Sequence, residues 1–375
     1  MAKFMIIAGE ASGDTLGAEL VKALQRIPKC ERAEFFGAGG PKLADAGVEL
    51  AFDLAAHAVV GIWEVLKNYG KFKGFFEHLL KLALERKPDV VILIDYPGFN
   101  LRFVKALRER SAVKNWRPRI VYYVSPQIWA WHESRVHQIA RDVDLMLAIF
   151  PFEKDWYRER APNFRVEFVG HPLVDRYAGH NFNGDARDEV LLLPGSRVRE
   201  LKKHLPVMIE ALQQMRRTEK FVCRMVLPSE SLRSLAQEIA PLDNIEVQIG
   251  GLADALLKAR VAIASSGTVT MECAYFRVPT VVLYRTSWST HALGRRFIKV
   301  KYLAMPNLLA GERVYPEFIQ DEASGANLAR TALELMKDEK RRATIKTKLN
   351  AVIASLGETG ASDRAARYVA DLITC

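Results

Sequence analysis

Side chains able to do chemistry gather just after short apolar runs. Val90-Val91-Ile92-Leu93-Ile94 leads into Asp95-Tyr96-Pro97-Gly98-Phe99-Asn100. An aspartate there, beside a rigid proline turn, reads as a general base; the plainer reading is an Asx turn or a helix cap. Lys3–Ala8 runs into Gly9-Glu10-Ala11-Ser12-Gly13-Asp14, and Val261–Ala264 into Ser265-Ser266-Gly267-Thr268. Each loop opens a helical pattern, whose unpaired N–H groups and partial positive charge suit a phosphate. Leu193-Pro194-Gly195-Ser196-Arg197 adds a glycine for close backbone approach and a guanidinium fork for phosphate oxygens, with Glu200 further on. Glu272, one turn into the helix after Thr268, serves either ribose hydroxyls or the helix dipole. Val124–His132 concentrates Ser125, Trp129, Trp131 and His132, where packing and binding are equally good uses of the tryptophans. Gly170-His171-Pro172 places a histidine near a hinge. Asp142-Val143-Asp144 has a metal-binding spacing but precedes a strand, so no metal is expected on it.

These loops need scaffolds, and the pattern supplies two. Strands are expected at Lys3–Ala8, Ala33–Phe36, Asp89–Ile94, Arg119–Val124, Leu145–Ile149 and Val166–Val169, apolar at consecutive positions as in a parallel sheet covered on both faces. Residues Tyr177–Asp188 are polar and aperiodic and read as a linker. Strands resume at Glu189–Leu193, Phe221–Leu227, Ile245–Ile249, Val261–Ala264 and Thr280–Leu283; from Asn327 to Ile373 the pattern is helical. The fold class is α/β: two doubly wound, Rossmann-like domains facing across a cleft, residues 1–180 and 188–340. Helices in 341–375 pack on the first domain or are exchanged between subunits. In such sheets ligands lie beyond the carboxyl ends of the strands, where these loops are. Two phosphate-suited loops, one per domain, suggest a phosphorylated ligand.

Composition narrows the partners. The 375 residues are 49% hydrophobic and carry a formal charge of +10, which points to an anionic partner. The four cysteines lack paired spacing, as expected of a reduced cytoplasmic protein. Neither an export signal nor a membrane-spanning run is expected, and a GxxxxGK[ST] phosphate loop is absent. Between Val59 and Leu80, apolar and aromatic residues including Val65, Leu66, Tyr69, Phe72, Phe75 and Phe76 recur at helical spacing beside Lys67, Lys71 and Lys73. That face is either a contact with an anionic bilayer or a helix packed on the sheet. Arg295, Arg296, Lys299 and Lys301 form a second basic cluster. The basic residues are otherwise dispersed and match no nucleic-acid motif.

Taken together, the segments Ala8–Asp14, Gly61–Leu66, Asp95–Asn100, Val124–Trp131, Gly170–Pro172, Leu193–Arg197 with Glu200, Ser266–Thr268 with Glu272, and Pro306–Gly311 resemble the lipid-A-disaccharide synthases. These are inverting glycosyltransferases of the two-domain GT-B type. Ser265 and Trp63 depart from that family's usual alanine and smaller aliphatic residue. The resemblance implies transfer of a sugar from UDP-2,3-diacylglucosamine to 2,3-diacylglucosamine 1-phosphate (lipid X), with no cofactor and no metal. It implies Asp95 as base, with Glu10 second. Ser196, Arg197, Glu200, Ser266, Gly267, Thr268, Glu272, Asn307, Glu317 and Gln320 would face the UDP-sugar. Ser12, Asp14, Asn100, Ser125 and Trp129 would face the acceptor. Peripheral attachment to the inner face of the cytoplasmic membrane follows, with a homodimer left open. The rival within enzymes is another GT-B member acting on UDP-N-acetylglucosamine, a transferase or an epimerase.

Overall fold

The computed structural model describes residues 1–54, 69–180, 188–286 and 300–373, with only the backbone of Tyr69–Phe72. It contains two compact units, Met1–Arg176 with Leu356–Cys375, and Tyr177–Ser355.

The first unit runs β1 (Lys3–Ala8), α1 (Ala11–Gln25), β2 (Glu34–Gly39), α2 (Pro41–Asp45), β3 (Glu49–Asp53), α3 (Tyr69–Arg86), β4 (Val90–Ile94), α4 (Pro97–Val113), β5 (Arg119–Tyr123), α5 (Ile128–Trp131), α6 (Val136–Asp142), β6 (Leu145–Ala148), α7 (Pro151–Arg160) and β7 (Val166–Phe168). Helix α8 (Pro172–Tyr177) leads into the second unit. The strands form one parallel sheet in the order β3-β2-β1-β4-β5-β6-β7. Every residue of β4 is buried, which is why it reads as an unbroken Val/Ile/Leu run.

The second unit holds β8 (Glu189–Leu193), α9 (Val198–Met215), β9 (Cys223–Leu227), α10 (Glu230–Ile239), β10 (Glu246–Ile249), α11 (Leu252–Lys258), β11 (Ala259–Ser265), α12 (Val269–Tyr275), β12 (Thr280–Tyr284), α13 (Met305–Ala310), β13 (Glu317–Ile319), α14 (Gly325–Lys337) and α15 (Glu339–Ser355). Its parallel sheet has the order β10-β9-β8-β11-β12-β13.

Two edge strands escape the apolar-run criterion. In β3 exposed and half-buried residues alternate, and β13 is three residues long. Glu317 therefore opens a strand, whereas the sequence suggests a loop or helix start. The helical end is also divided. Helix α15 belongs to the second unit, but α16 (Ala361–Ala370) packs on α1 in the first. Asp175 caps α16 by accepting the Gly360 and Ser362 N–H groups, and Arg364 donates to the Val169 carbonyl at 2.8 Å.

Asp142 and Asp144 flank the amino end of β6. Asp142 pairs with Arg141, while Asp144 accepts from Arg108 at 2.6 Å and from the Ile120 N–H at 2.7 Å. No helix among the described residues is long and apolar enough to cross a membrane.

Candidate functional site

In each sheet the strand order reverses once, and in sheets of this kind ligands lie beyond the carboxyl ends of the strands at that point. In the first unit the reversal lies between β1 and β4, where Ala8 is level with Ile94. The next residues are Gly9-Glu10 on one side and Asp95-Tyr96 on the other, so both carboxylates read as bases stand at the same switch point.

The backbone here is unusual. Asp95 and Tyr96 both adopt positive φ, 45° and 50°. Consecutive left-handed non-glycine residues cost on the order of 1–3 kcal/mol each, so the surroundings must hold them. The Asp95 N–H donates to the Tyr123 carbonyl at 3.0 Å. Its own carbonyl accepts from the Tyr122 hydroxyl at 2.6 Å and from Asn100 Nδ2 at 2.7 Å. Asn100 is fully buried and acts through the Asp95 backbone. Glu10 occupies the N-cap position of α1. Burial, and secondarily the Glu10 charge, raise the Tyr96 phenol above its ordinary value.

Asp14 is a different kind of residue from the one the sequence suggests. Its carboxylate is buried and accepts the Gly40, Lys42 and Leu43 N–H groups at 2.8, 3.0 and 3.1 Å, capping α2. Ser12 is exposed on the first turn of α1.

Beyond β5, Val124 also has positive φ, 69°, an outlier for a β-branched residue. Ser125 and Trp129 are buried there over Glu153, which sequence reasoning missed. Trp129 Nε1 donates to Glu153 Oε1 at 3.2 Å and the Phe150 N–H to Oε2 at 3.1 Å. Burial outweighs these bonds and pushes the carboxyl up to about 8. His171 is driven the other way, down to about 4, mainly by burial, and its Nδ1 accepts the Leu173 N–H.

In the second unit the reversal lies between β8 and β11, with Leu193 level with Ala264. Gly195 has φ of 123°, and a Cβ there would stand 2.5 Å from Glu200 Oε2. That carboxylate accepts the Ser196 N–H at 3.0 Å and pairs with Arg197 at 3.7 Å. Glu200 thus braces the loop, while the Arg197 side chain is 57% exposed. Across the switch point, the Ser266 N–H donates to the Leu283 carbonyl at 2.9 Å, so it is already engaged. Gly267 and Thr268 are exposed, with open space above Gly267. Glu272 accepts the Tyr177 hydroxyl at 2.8 Å.

A family model described as lipid-A-disaccharide synthetase matches residues 4–371. A lipid-A-disaccharide synthase of Geobacter sulfurreducens is 40% identical over 99% of this chain and 97% of its own length. One of Myxococcus xanthus is 37% identical over 99% and 97%. The chain belongs to the lipid-A-disaccharide synthase family.

Solved structures agree on the fold. The S. aureus MnaA–UDP co-structure superposes with a TM-score of 0.64 at 17% identity, covering 100% of this chain and 98% of that one. Acinetobacter baumannii MurG gives 0.54 at 14%, covering 99% and 100%. The protein is thus a glycosyltransferase of the GT-B fold, as the family resemblance implies.

Three residues carried over from that family resemblance as donor contacts are braces in this structure. Asn307 is fully buried: its amide donates to the Tyr315 carbonyl at 2.8 Å and to Glu317 Oε1 at 2.6 Å, and it accepts the Tyr315 N–H at 2.7 Å. Glu317 caps α13 by accepting the Leu303 and Ala304 N–H groups at 3.0 and 2.8 Å. Gln320 accepts the Thr286 N–H at 2.7 Å and donates back to the Thr286 carbonyl. They shape the rim beyond β12 and β13.

On the apolar face, Phe75 stacks on Phe52 with ring centroids 4.3 Å apart, and Phe76 meets Phe99 and Phe103 edge-on. Both are half-buried and pack against the core, in which Leu79 and Leu80 are fully buried. Val65, Leu66 and the side chains of Tyr69 and Phe72 lie outside the described residues, as do Arg295, Arg296 and Lys299.

Proposed function

We propose that the protein transfers 2,3-diacylglucosamine from its UDP derivative to the 6-hydroxyl of 2,3-diacylglucosamine 1-phosphate, giving the β(1→6) disaccharide 1-phosphate and UDP. What supports this reading is the set of residues at each unit's own switch point: Asp95 and Glu10 in the first unit, Arg197 with the Gly267–Thr268 amides in the second. The UDP in the S. aureus MnaA co-structure supports a uridine nucleotide for a fold of this kind.

The acceptor O6 attacks the anomeric carbon in line with the departing UDP, so the C1–O bond to UDP breaks as the new C1–O bond forms and configuration inverts. Asp95 takes the O6 proton, with Glu10 the second choice. Pinning of the Asp95 backbone by Tyr122 and Asn100 supports it, because a base fixed before substrate arrives needs less reorganisation. Arg197 and the Gly267 and Thr268 N–H groups neutralise charge growing on the pyrophosphate, the work a metal does in other transferases. Glu272 reaches the ribose. Ser12 and Trp129 border the acceptor, and the enzyme sits on the inner face of an anionic membrane through Val65, Leu66, Tyr69 and Phe72.

Purified protein with both acylated substrates should yield the tetraacyl disaccharide 1-phosphate by mass spectrometry, undiminished by EDTA. Consumption of acyl-free UDP-N-acetylglucosamine in its place would favour the epimerase or another transferase.

A further inference from the structure

His204 is a fully buried titratable group that the transfer mechanism leaves without a role. It lies in α9, one of the helices around the second sheet, yet its ring reaches loops from two different strands. Nδ1 is 2.9 Å from the Pro194 carbonyl, just past β8, and Nε2 is 3.1 Å from the Arg285 N–H, just past β12. Nδ1 has only a carbonyl to face and must carry the proton; Nε2 is then the acceptor for Arg285. The 3.3 Å approach of Nε2 to the Arg285 carbonyl is the longer contact and would need a second ring proton. Burial, the largest influence, lowers the ring's pKa and opposes that second proton; the Glu200 charge and the two carbonyls act the other way.

The strands tied by this ring are not neighbours. β11 lies between β8 and β12, so His204 links the loops on either side of the Ser265–Thr268 loop. The link continues outward in both directions. Thr286, next to Arg285, is clamped by Gln320 beyond β13. Ser196, two residues past Pro194, is clamped by Glu200, and Arg197 follows. A continuous run of hydrogen bonds therefore joins the loop bearing the exposed guanidinium to the rim formed by β12 and β13.

We propose that His204 is a positioning residue for the nucleotide. By holding the Pro194–Arg197 loop in register with Arg285 and Thr286, it sets where Arg197 meets the pyrophosphate before the nucleotide arrives. This rests on the reading of Arg197 given above. Without the tie, binding itself has to order the loop, and affinity falls although no ligand contact has been removed.

The test is UDP binding by calorimetry to the full-length protein and to three variants, with Michaelis constants for donor and acceptor and an unfolding curve for each. In His204→Leu both bonds are lost. In His204→Asn the amide takes the place of Nδ1 and keeps the Pro194 bond; in His204→Gln it reaches the place of Nε2 and keeps the Arg285 bond. The expected result is a rise of about tenfold in the UDP dissociation constant and donor KM for His204→Leu, with the acceptor KM unchanged and the amide variants between. A folded His204→Leu with native UDP affinity overturns the proposal. So does a fall in kcat that follows the folded fraction with both Michaelis constants fixed, the mark of a merely structural ring. If His204→Leu does not fold, native UDP affinity in both amide variants overturns it equally. Arg197→Ala separates the two levels: weakened UDP binding there, with no effect at His204, sinks this inference alone. Unchanged UDP binding in Arg197→Ala sinks the nucleotide reading and this inference together.

Discussion

A Cβ on Gly9 would stand 2.2 Å from Cδ1 of Tyr96, so the loops leaving β1 and β4 meet face to face at the first switch point. Gly9 is required there for space. The ring that fills the space belongs to the residue after Asp95 and has left-handed backbone. Moving the ring moves the turn that carries the base.

Gly9→Ala should therefore behave like a mild Asp95 variant. Turnover should drop at least about tenfold, roughly 1.4 kcal/mol in barrier, while UDP affinity stays native. Asp95→Asn should lose far more, again with UDP binding intact. Steady-state kinetics paired with calorimetry checks both, and a fully active Asp95→Asn removes it as base.

Arg197 has an exposed side chain, and its ion pair with Glu200 is long at 3.7 Å, so loss of that pair should cost little stability. Its effect should appear in UDP affinity and, more strongly, in the transition state. Arg197→Ala should cost about 3 kcal/mol of barrier, on the order of a hundredfold in turnover at saturating donor. Near-native turnover would show that another group meets the charge on UDP.

The contrast between Arg197 and Glu200 shows where sequence reading stops. The apolar runs that became β1, β4, β8 and β11 are legible because two covered faces leave few polar positions, mostly at the strand ends. The loops after them are legible through glycine and proline. Edge strands β3 and β13 are not, since one alternates exposed and half-buried residues and the other is only three residues long. Nor does a carboxylate in a rich loop announce what faces it. Glu200 turned out to hold a backbone N–H of the loop just before its own helix, and Asp14 and Glu317 hold N–H groups of segments distant in sequence. That depends on chain segments brought together only in the folded state. His204 sits within α9 on a face that reads as ordinary core, and no spacing rule marks it.

Glu317 gives a test of bracing against catalysis. Glu317→Ala would leave the half-buried Leu303 N–H, the buried Ala304 N–H and the Asn307 amide short of an acceptor, at about 1–3 kcal/mol for each buried group orphaned. Denaturant unfolding should show a clearly lowered midpoint. If stability is unchanged while donor kinetics collapse, the carboxylate acts on the sugar after all.

Glu153 makes stability depend on pH with a defined sign. Its carboxyl ordinarily titrates near 4.5, but burial pushes it up to about 8 in the folded protein. Between those values the folded state keeps a proton that the unfolded chain has released. Stability from this group is therefore fully present below pH 4.5 and is lost as pH rises toward 8, by at most about 1.4 kcal/mol per unit. Glu153→Gln removes the titration. Unfolding free energies of parent and variant, measured from pH 5 to 8, should converge or cross as the parent loses its advantage; a constant difference would mean that Glu153 is ionised throughout.

The Val59–Leu80 face should divide between two properties. Phe76 lies against Phe99, Phe103 and the core of the first sheet, so Phe76→Ser should destabilise by about 2–4 kcal/mol whether or not lipid is present. Phe72, one turn earlier in α3, belongs to the part proposed to meet the bilayer. Phe72→Ser should unfold at the parent's midpoint yet sediment less with phosphatidylglycerol vesicles, and added salt should weaken the parent's sedimentation through the flanking lysines. Vesicle binding that survives Phe72→Ser and Leu66→Ser together would assign the whole face to the interior. The positive charge would then need an anionic partner other than a membrane.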